Sequence, residues 1–432
     1  MMMHFVHKRC LLVALVGLAF TAKSYTQATT DDPTWNTGEA GQLAPGFYGT
    51  GGIYTASRHA DGRMMVGGAF ANYNGEATPR LVRLLPNGTR DNSFSIGTGF
   101  GGVWTAETGI PSLTTPLKII ILSDGSYLVG GNFRTYQGVT KGSLVKLLPN
   151  GEIDPDFNKD GVGAANGPVT SIMPVRDGKF VIAGSFTGYN GTSINRIARI
   201  NADGTLDATF NTGGTNANAA VFDLDTLSNG NLIAVGSFTT FNGATNNRIV
   251  QLNQNGQPVP FASAIGAFNT NIRQVKVQQP GNKILVGGGF ISYASTTRNR
   301  IMRFNEDGSV DNTFTPGTGV LDGQINSIAI DSEGRIILGG SFSQYNGSPA
   351  KRYARLLANG AIDASFNPNG YGPSSYTVAG SVEIALPIGT DRIFIAGIFR
   401  EYELCVYQGA LQVLPNGMPD PAFNPATGAA GG

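Results

Sequence analysis

A Gly-x-Phe element recurs seven times in this chain, ending at Phe70, Phe133, Phe186, Phe238, Phe290, Phe342 and Phe399. The intervals are 63, 53, 52, 52, 52 and 57 residues. A second element, Asp-x-x-Phe, ends at Phe94, Phe157, Phe210, Phe314, Phe366 and Phe423. Phe261 takes that place in the fourth unit, behind Pro258 instead of Asp. The second phenylalanine follows the first by 24 residues in six units and by 23 in the fourth. A register kept this closely makes one structural unit, repeated, the starting point for the fold.

Each unit reads as four short strands. In the third, Val169 to Val175 is the first, Lys179 to Phe186 the second, Arg196 to Ile200 the third and Thr205 to Phe210 the fourth. Asp177-Gly178, Tyr189-Asn190-Gly191 and Asp203-Gly204 separate them. Asp-Gly and Asn-Gly between β-branched runs are strong hairpin signals. No helical periodicity is sustained after the N-terminal segment. A four-stranded sheet cannot bury both faces alone, and stacking between two neighbours does so. The expectation is all-β: a single seven-bladed β-propeller of four-stranded antiparallel blades over residues 29–432. A solenoid period of ~20–30 residues fits poorly. An eight-bladed ring and a piece of a longer array stay open, because Asp32-Pro33-Thr34-Trp35 already reads as a fourth strand, as Asp420-Pro421-Ala422-Phe423 does at the other end. The phenylalanines read as core between units. Paired glycines such as Gly67-Gly68 and Gly339-Gly340 are expected where backbones crowd.

The run of Asp-Gly, Gly-Gly-Ser-Phe, Tyr-Asn-Gly, Arg-Leu or Arg-Ile, and Asp-x-x-Phe-Asn resembles the delta-60 repeat propeller family, over about residues 31–428. The fourth unit departs at Pro258 and the seventh at Glu403-Leu404. The resemblance implies an exported bacterial propeller and supplies no catalytic residues.

Residues 1–28 have the anatomy of a signal peptide: basic His7, Lys8 and Arg9, an apolar run from Leu11 to Phe20, then small polar residues ending at Ala28. The apolar run is too short to span a bilayer of ~30 Å. The expected location is outside the cytoplasm, secreted or at the cell surface, or periplasmic, with no membrane insertion after cleavage. Cleavage at Ala28 leaves 27 basic against 29 acidic residues. That balance argues against nucleic acid, which needs a basic face. It also leaves one cysteine, Cys405, and one histidine, His59. No internal disulfide, metal site or cofactor is expected from such a set.

In five units a basic residue follows the first phenylalanine by thirteen positions and an aspartate follows eight later; the fourth unit has Gln251 and Val259 instead, and the seventh Gln412 before Asp420. Arg83–Asp91, Lys146–Asp154, Arg199–Asp207, Arg303–Asp311 and Arg355–Asp363 are the complete pairs. They read as cross-strand ion pairs of the scaffold, worth roughly 0.2–1 kcal/mol each.

Function is sought where units differ. Connections from the second phenylalanine (or Trp35) to the next first one run 35, 39, 29, 28, 29, 28 and 33 residues. The three longest belong to units one, two and seven, adjacent in a closed ring. They carry Phe47, Tyr48, Phe100, Trp104, Tyr371 and Tyr376, with Glu107 nearby, and all of these but Phe100 are nominated for ligand binding. Loops on a rigid scaffold concentrate binding residues, and aromatic rings beside polar groups suit a glycan or another surface protein. The reading is a non-catalytic binding or scaffold module. The competing class is a glycosidase or lyase using carboxylates on the loop face. His59, beside the Asp61-Gly62 turn, has no triad partner and reads as a surface turn residue. Asp156, Asn158 and Asp160 open a calcium-loop pattern, but the twelfth position is Gly167 and lacks the bidentate acid. Gly97-x-Gly99-x-x-Gly102 precedes no helix and reads as a loop.

Overall fold

The computed structural model describes residues 46–48, 51–105, 110–261, 267–374, 380–403 and 405–423. The segment 1–28, Trp35, Glu107 and Tyr376 lie outside them, as does the side chain of Tyr48. Seven larger antiparallel sheets of three strands follow one another, one per repeat. The first strands of units one to four are Ile53–Arg58, Thr115–Ile121, Val169–Pro174 and Val221–Thr226. Those of units five to seven are Ile272–Gln278, Ile325–Ile330 and Ser381–Ile388. In the third unit the second and third strands are Phe180–Gly184 and Ile197–Ile200. Asp177-Gly178 turns between the first two with both residues at positive φ, 61° and 67°.

Each first strand packs beside the first strand of the next unit, and Ser381–Ile388 packs back on Ile53–Arg58. The packing order is therefore cyclic. Apolar clusters form between consecutive units. Phe94 joins Tyr127 and Phe133 of the second unit, Phe366 joins Phe399 of the seventh, and Phe423 joins Val66 and Phe70 of the first. Among the described residues no α-helix occurs, and no helix is long and apolar enough to cross a membrane.

The fourth segment departs from expectation. It meets the third strand at one bridge only, such as Leu84 with Arg90 or Ile200 with Leu206. The aspartate of Asp-x-x-Phe explains this. Asp91 Oδ1 accepts the backbone N–H of Ser93 at 3.0 Å, and Asp207 Oδ1 that of Thr209 at 3.0 Å. Such an Asx turn diverts the backbone from the ladder and delivers the phenylalanine to the next unit.

A second layer of short hairpins covers one face. Asn72–Tyr73 and Glu76–Ala77 flank Asn74-Gly75, both at positive φ. Connections between units pair onto these hairpins, as Phe47–Tyr48 does with Asn72–Tyr73. The tyrosine heading the Tyr-Asn-Gly turn, Tyr-Gln-Gly in unit two, reaches down to a glycine carbonyl fifteen residues later. Tyr136 donates to Gly151 O at 2.6 Å and Tyr189 to Gly204 O at 2.6 Å.

The paired glycines have two separate roles. A Cβ on Gly339 would meet Val382 of the next unit at 2.7 Å. One on Gly340 would strike the carbonyl of Gln324 in its own unit. The first serves packing between units, and the second permits a bulge opposite it.

Candidate ligand site in the central cavity

In every unit the first strand bulges at one position. The register skips Tyr54, Leu117, Thr170, Phe222, Arg273, Asn326 and Glu383. A bulge leaves the extra residue out of the ladder and re-aims its side chain. All seven line one cavity of about 250 Å³, together with Lys118, Asp223, Gln274, Lys276 and Ser327. Every unit contributes to this lining, so it lies where the first strands converge. The bulge itself repeats in every unit, but its seven side chains all differ.

The cavity is charged and largely committed internally. Asp223 Oδ1 accepts from Ser171 Oγ at 3.0 Å, and its Oδ2 accepts from Val275 N at 3.2 Å. Asp225 Oδ2 accepts from Val277 N at 2.8 Å, with Lys276 Nζ at 3.9 Å. Glu383 Oε1 accepts from Ser381 Oγ at 2.6 Å and Asn326 Nδ2 at 3.0 Å. Burial raises the pKa of Glu383 against the pull of Ser381, Arg273 and Asn326. Burial also raises that of Asp225. It draws Lys118 down, with Lys276 adding to the effect and Asp223 and Asp225 opposing it. For Lys276 burial acts downward too, but Asp223 and Asp225 outweigh it and the net shift is upward.

The long connection of unit two closes over this region. Ile110 and Pro111 line the cavity, and Ile110 packs on Ala220 and Phe222 of unit four. Asn132 ties the connection down: its Oδ1 accepts Trp104 N at 2.8 Å, and its Nδ2 donates to Pro111 O at 3.1 Å. Trp104 is half-buried, with the Arg134 guanidinium 4.2 Å from its ring. Val103, Leu113 and Val139 stand exposed in the same unit.

Other nominated residues fare differently. Phe47 is not an exposed binding ring. It is buried, 4.7 Å from Phe70 and 4.6 Å from Tyr73, because its strand pairs onto the hairpin layer. Phe100 is buried in the same way against Phe133 and Tyr136. Tyr371 is half-buried against the seventh-unit core. Tyr48 lends its backbone to the first short strand. Glu107 and Tyr376 lie outside the described residues. His59 is buried rather than superficial, its Nε2 2.9 Å from Tyr127 OH. Burial first, then Arg63, lowers its pKa. Asn158 is buried in a reciprocal amide pair with Asn190, so its oxygen serves the scaffold instead of a calcium loop. Among the described residues no three His, Cys, Asp or Glu side chains cluster as a metal site would require.

The five charge pairs form as expected, at 2.7–2.8 Å between the basic nitrogen and the aspartate. They are more than cross-strand pairs. Arg83, Arg199, Arg303 and Arg355 also stack on the phenylalanine of the same unit, with centroid distances of 4.3–5.1 Å. A larger hollow of about 460 Å³ at the edge of the fifth unit is lined by one such set, Arg303, Asp311 and Phe314, and belongs to this scaffold.

The cavity residues were findable in the repeat alignment. They occupy the column sixteen residues before each first phenylalanine, where residue types change from unit to unit. Arg273 stands at seventeen, since the fifth unit carries one extra residue in its first hairpin.

Six segments match the family described as a domain of unknown function (DUF5122) beta-propeller: residues 59–94, 122–157, 176–210, 227–258, 279–314 and 332–366. The chain is a β-propeller repeat protein. The matched segments run from the first hairpin of units one to six to the Asp-x-x-Phe element, the fourth ending at Pro258. No curated protein matches the sequence. Several solved structures are similar at low identity. An extracellular domain of a one-component system from B. thetaiotaomicron has a TM-score of 0.46 and 10% identity, over 86% of this chain and 40% of that one. PorZ, a surface component of the type-IX secretion system of Porphyromonas gingivalis, has a TM-score of 0.44 and 11% identity, over 90% of this chain and 48% of that one. YCF48 bound to D1 peptide has a TM-score of 0.43 and 12% identity, over 86% of this chain and 93% of that one. This propeller therefore spans less than half the length of the first two.

Proposed function

We propose that this protein is an exported, seven-bladed propeller of the delta-60 type that binds a glycan on its loop face, without catalysis. Each blade is a three-stranded ladder plus a fourth segment handed to its neighbour. The cyclic packing of first strands supports seven blades, and the anatomy of residues 1–28 supports export. One observation carries the binding reading: the bulge recurs in all seven units with a different side chain in each, and all seven side chains meet one cavity. Conserved geometry with divergent lining is how a rigid scaffold acquires a specific site. Asn132 links Pro111 of the cavity wall to Trp104 on the same connection, which supports extending the site to that ring.

The test is a glycan array with the mature protein, with a product assay on every hit. Trp104→Ala is expected to weaken binding by about tenfold, the scale of one aromatic contact, with an unchanged melting temperature. Binding that survives removal of the long connections of units seven, one and two would contradict the loop-face reading. A second reading has one observation in its favour. Glu383 is a cavity carboxyl with a raised pKa, as a general acid of a carbohydrate-active enzyme would be. Product formation that disappears in Glu383→Gln would establish that reading instead. A surface protein as partner would leave the array blank and would appear as Trp104-dependent capture of that protein.

A further inference from the structure

Two polar groups in the central cavity lack partners, and they ask for different things. Lys118 follows the bulge of unit two and lines the cavity half-buried. Its ammonium makes no hydrogen bond or ion pair among the described residues, although Asp223 and Glu383 share the cavity wall and Asp225 acts on it electrostatically. Those carboxylates are engaged elsewhere: Asp223 with Ser171 and Val275, Asp225 with Val277, Glu383 with Ser381 and Asn326. Asn326 is 9% exposed, and its Oδ1 has no hydrogen-bond partner. Nδ2 donates to Glu383 Oε1, the oxygen that also accepts from Ser381, so the amide oxygen is left as the open acceptor. Buried polar atoms are nearly always satisfied, and an exception calls for an explanation.

We propose that the central cavity binds a hydroxylated carboxylate of about monosaccharide size, with Lys118 meeting the carboxylate and Asn326 Oδ1 accepting a ligand hydroxyl. This rests on the reading of the protein as a ligand-binding propeller and names the ligand's chemistry. A neutral sugar would leave Lys118 unpaired, and a simple acid would leave Asn326 unsatisfied. A hydroxy acid of the uronic type satisfies both. Tyr54 and Phe222 supply rings for the body of such a ligand, and Thr170 and Ser327 further hydroxyls. The cavity of about 250 Å³ admits one sugar-sized unit.

The experiment uses the full mature chain with D-galacturonate, D-galactose and acetate as probes. Lysines are acylated under each probe, and the rate at Lys118 is read by mass spectrometry. Galacturonate is expected to slow Lys118 at least about fivefold while galactose and acetate leave it nearly unchanged, since a charge-assisted contact needs the anion and the hydroxyl contact needs the sugar. In calorimetry, Lys118→Met is expected to weaken galacturonate by about tenfold, the loss of one charge-assisted hydrogen bond. Asn326→Leu should weaken it less. Equal labelling with and without galacturonate overturns the proposal, as does undiminished affinity in Lys118→Met. Protection by acetate equal to that by galacturonate overturns the hydroxyl assignment. Glycan binding that is lost in Trp104→Ala but indifferent to Lys118→Met overturns this inference while the loop-face reading stands. Protection of Lys118 with a blank glycan array upholds it while that reading falls.

Discussion

Phe423→Ala is expected to lower the stability of the whole molecule by about 3–5 kcal/mol, as loss of a fully buried phenylalanine does. Phe423 ends the last repeat, yet its ring packs with Met64, Val66 and Phe70 of the first, 5.8 Å from Phe394 of the seventh. It is the place where the two ends of the repeat array are joined. The equivalent Phe366 makes the same kind of contact with the seventh unit, so Phe366→Ala should cost a similar amount. Urea unfolding of both variants checks this. A cost under about 1 kcal/mol for Phe423→Ala alone, with Phe366→Ala costing several times more, would contradict closure by this residue. Trp35, at the same phase near the N-terminus, would then be the residue to replace next.

Arg303→Met should be nearly as damaging, at about 3–5 kcal/mol, because it strands a buried carboxylate. Arg303 Nε donates to Asp311 at 2.8 Å, Nη1 to Gln278 at 2.7 Å and to the carbonyl of Ala358 in the sixth unit. It joins two units as well as two strands. With the guanidinium gone, Asp311 keeps Thr313 on Oδ1 but only Lys283, at 3.4 Å, on Oδ2. Adding Asp311→Asn should recover part of the loss, and a double-mutant cycle by urea unfolding measures how much. The same geometry governs acid sensitivity. Burial alone would raise the pKa of Asp311, but hydrogen bonds from Thr313 and Arg303 outweigh it and hold the group at about 2. Asp91 is likewise held at about 2, by Ser93 and Arg83 against burial. A pKa depressed in the folded state contributes stability that is fully present above the ordinary value of about 4 and is lost as pH falls toward 2. Each of these groups contributes on the order of 2 kcal/mol by that route. Wild type should therefore weaken steeply between about pH 4 and 2, and the Arg303→Met, Asp311→Asn variant less steeply. Identical acid limbs would contradict the role given to the pair.

Features tied to the repeat period were legible without coordinates. The spacing of Arg83 from Asp91, kept in five units, implied contact, and contact is found. The stacking of Arg83 on Phe94 was less visible, although both residues were in view, because it depends on how the Asp-x-x-Phe turn folds back. That turn also explains the missing fourth ladder. Its aspartate was read for its charge, whereas Asp91 Oδ1 also caps Ser93 N and bends the backbone away. Loop aromatics such as Phe47 looked exposed because their connections are irregular in length. A two-residue strand onto the hairpin layer is enough to bury them, and so short a pairing leaves little pattern. The cavity was hidden for a different reason. Alternation assigns Tyr54 or Glu383 to one face of an unbroken strand, and a bulge moves such a residue off that assignment. The glycine opposite, Gly340 in the sixth unit, was the available sign.

Closure of the ring makes the cavity, so it carries the whole account. Hydrogen exchange on the native chain tests it most directly, through the amides of Ile53–Arg58 and Ser381–Ile388 against those of Val221–Thr226 in the middle of the array. A closed ring buries all three strands between neighbours, so their amides should exchange at comparable, slow rates through global opening. Rapid exchange confined to the first and seventh units, with the middle protected, is the signature of an open array and would contradict it.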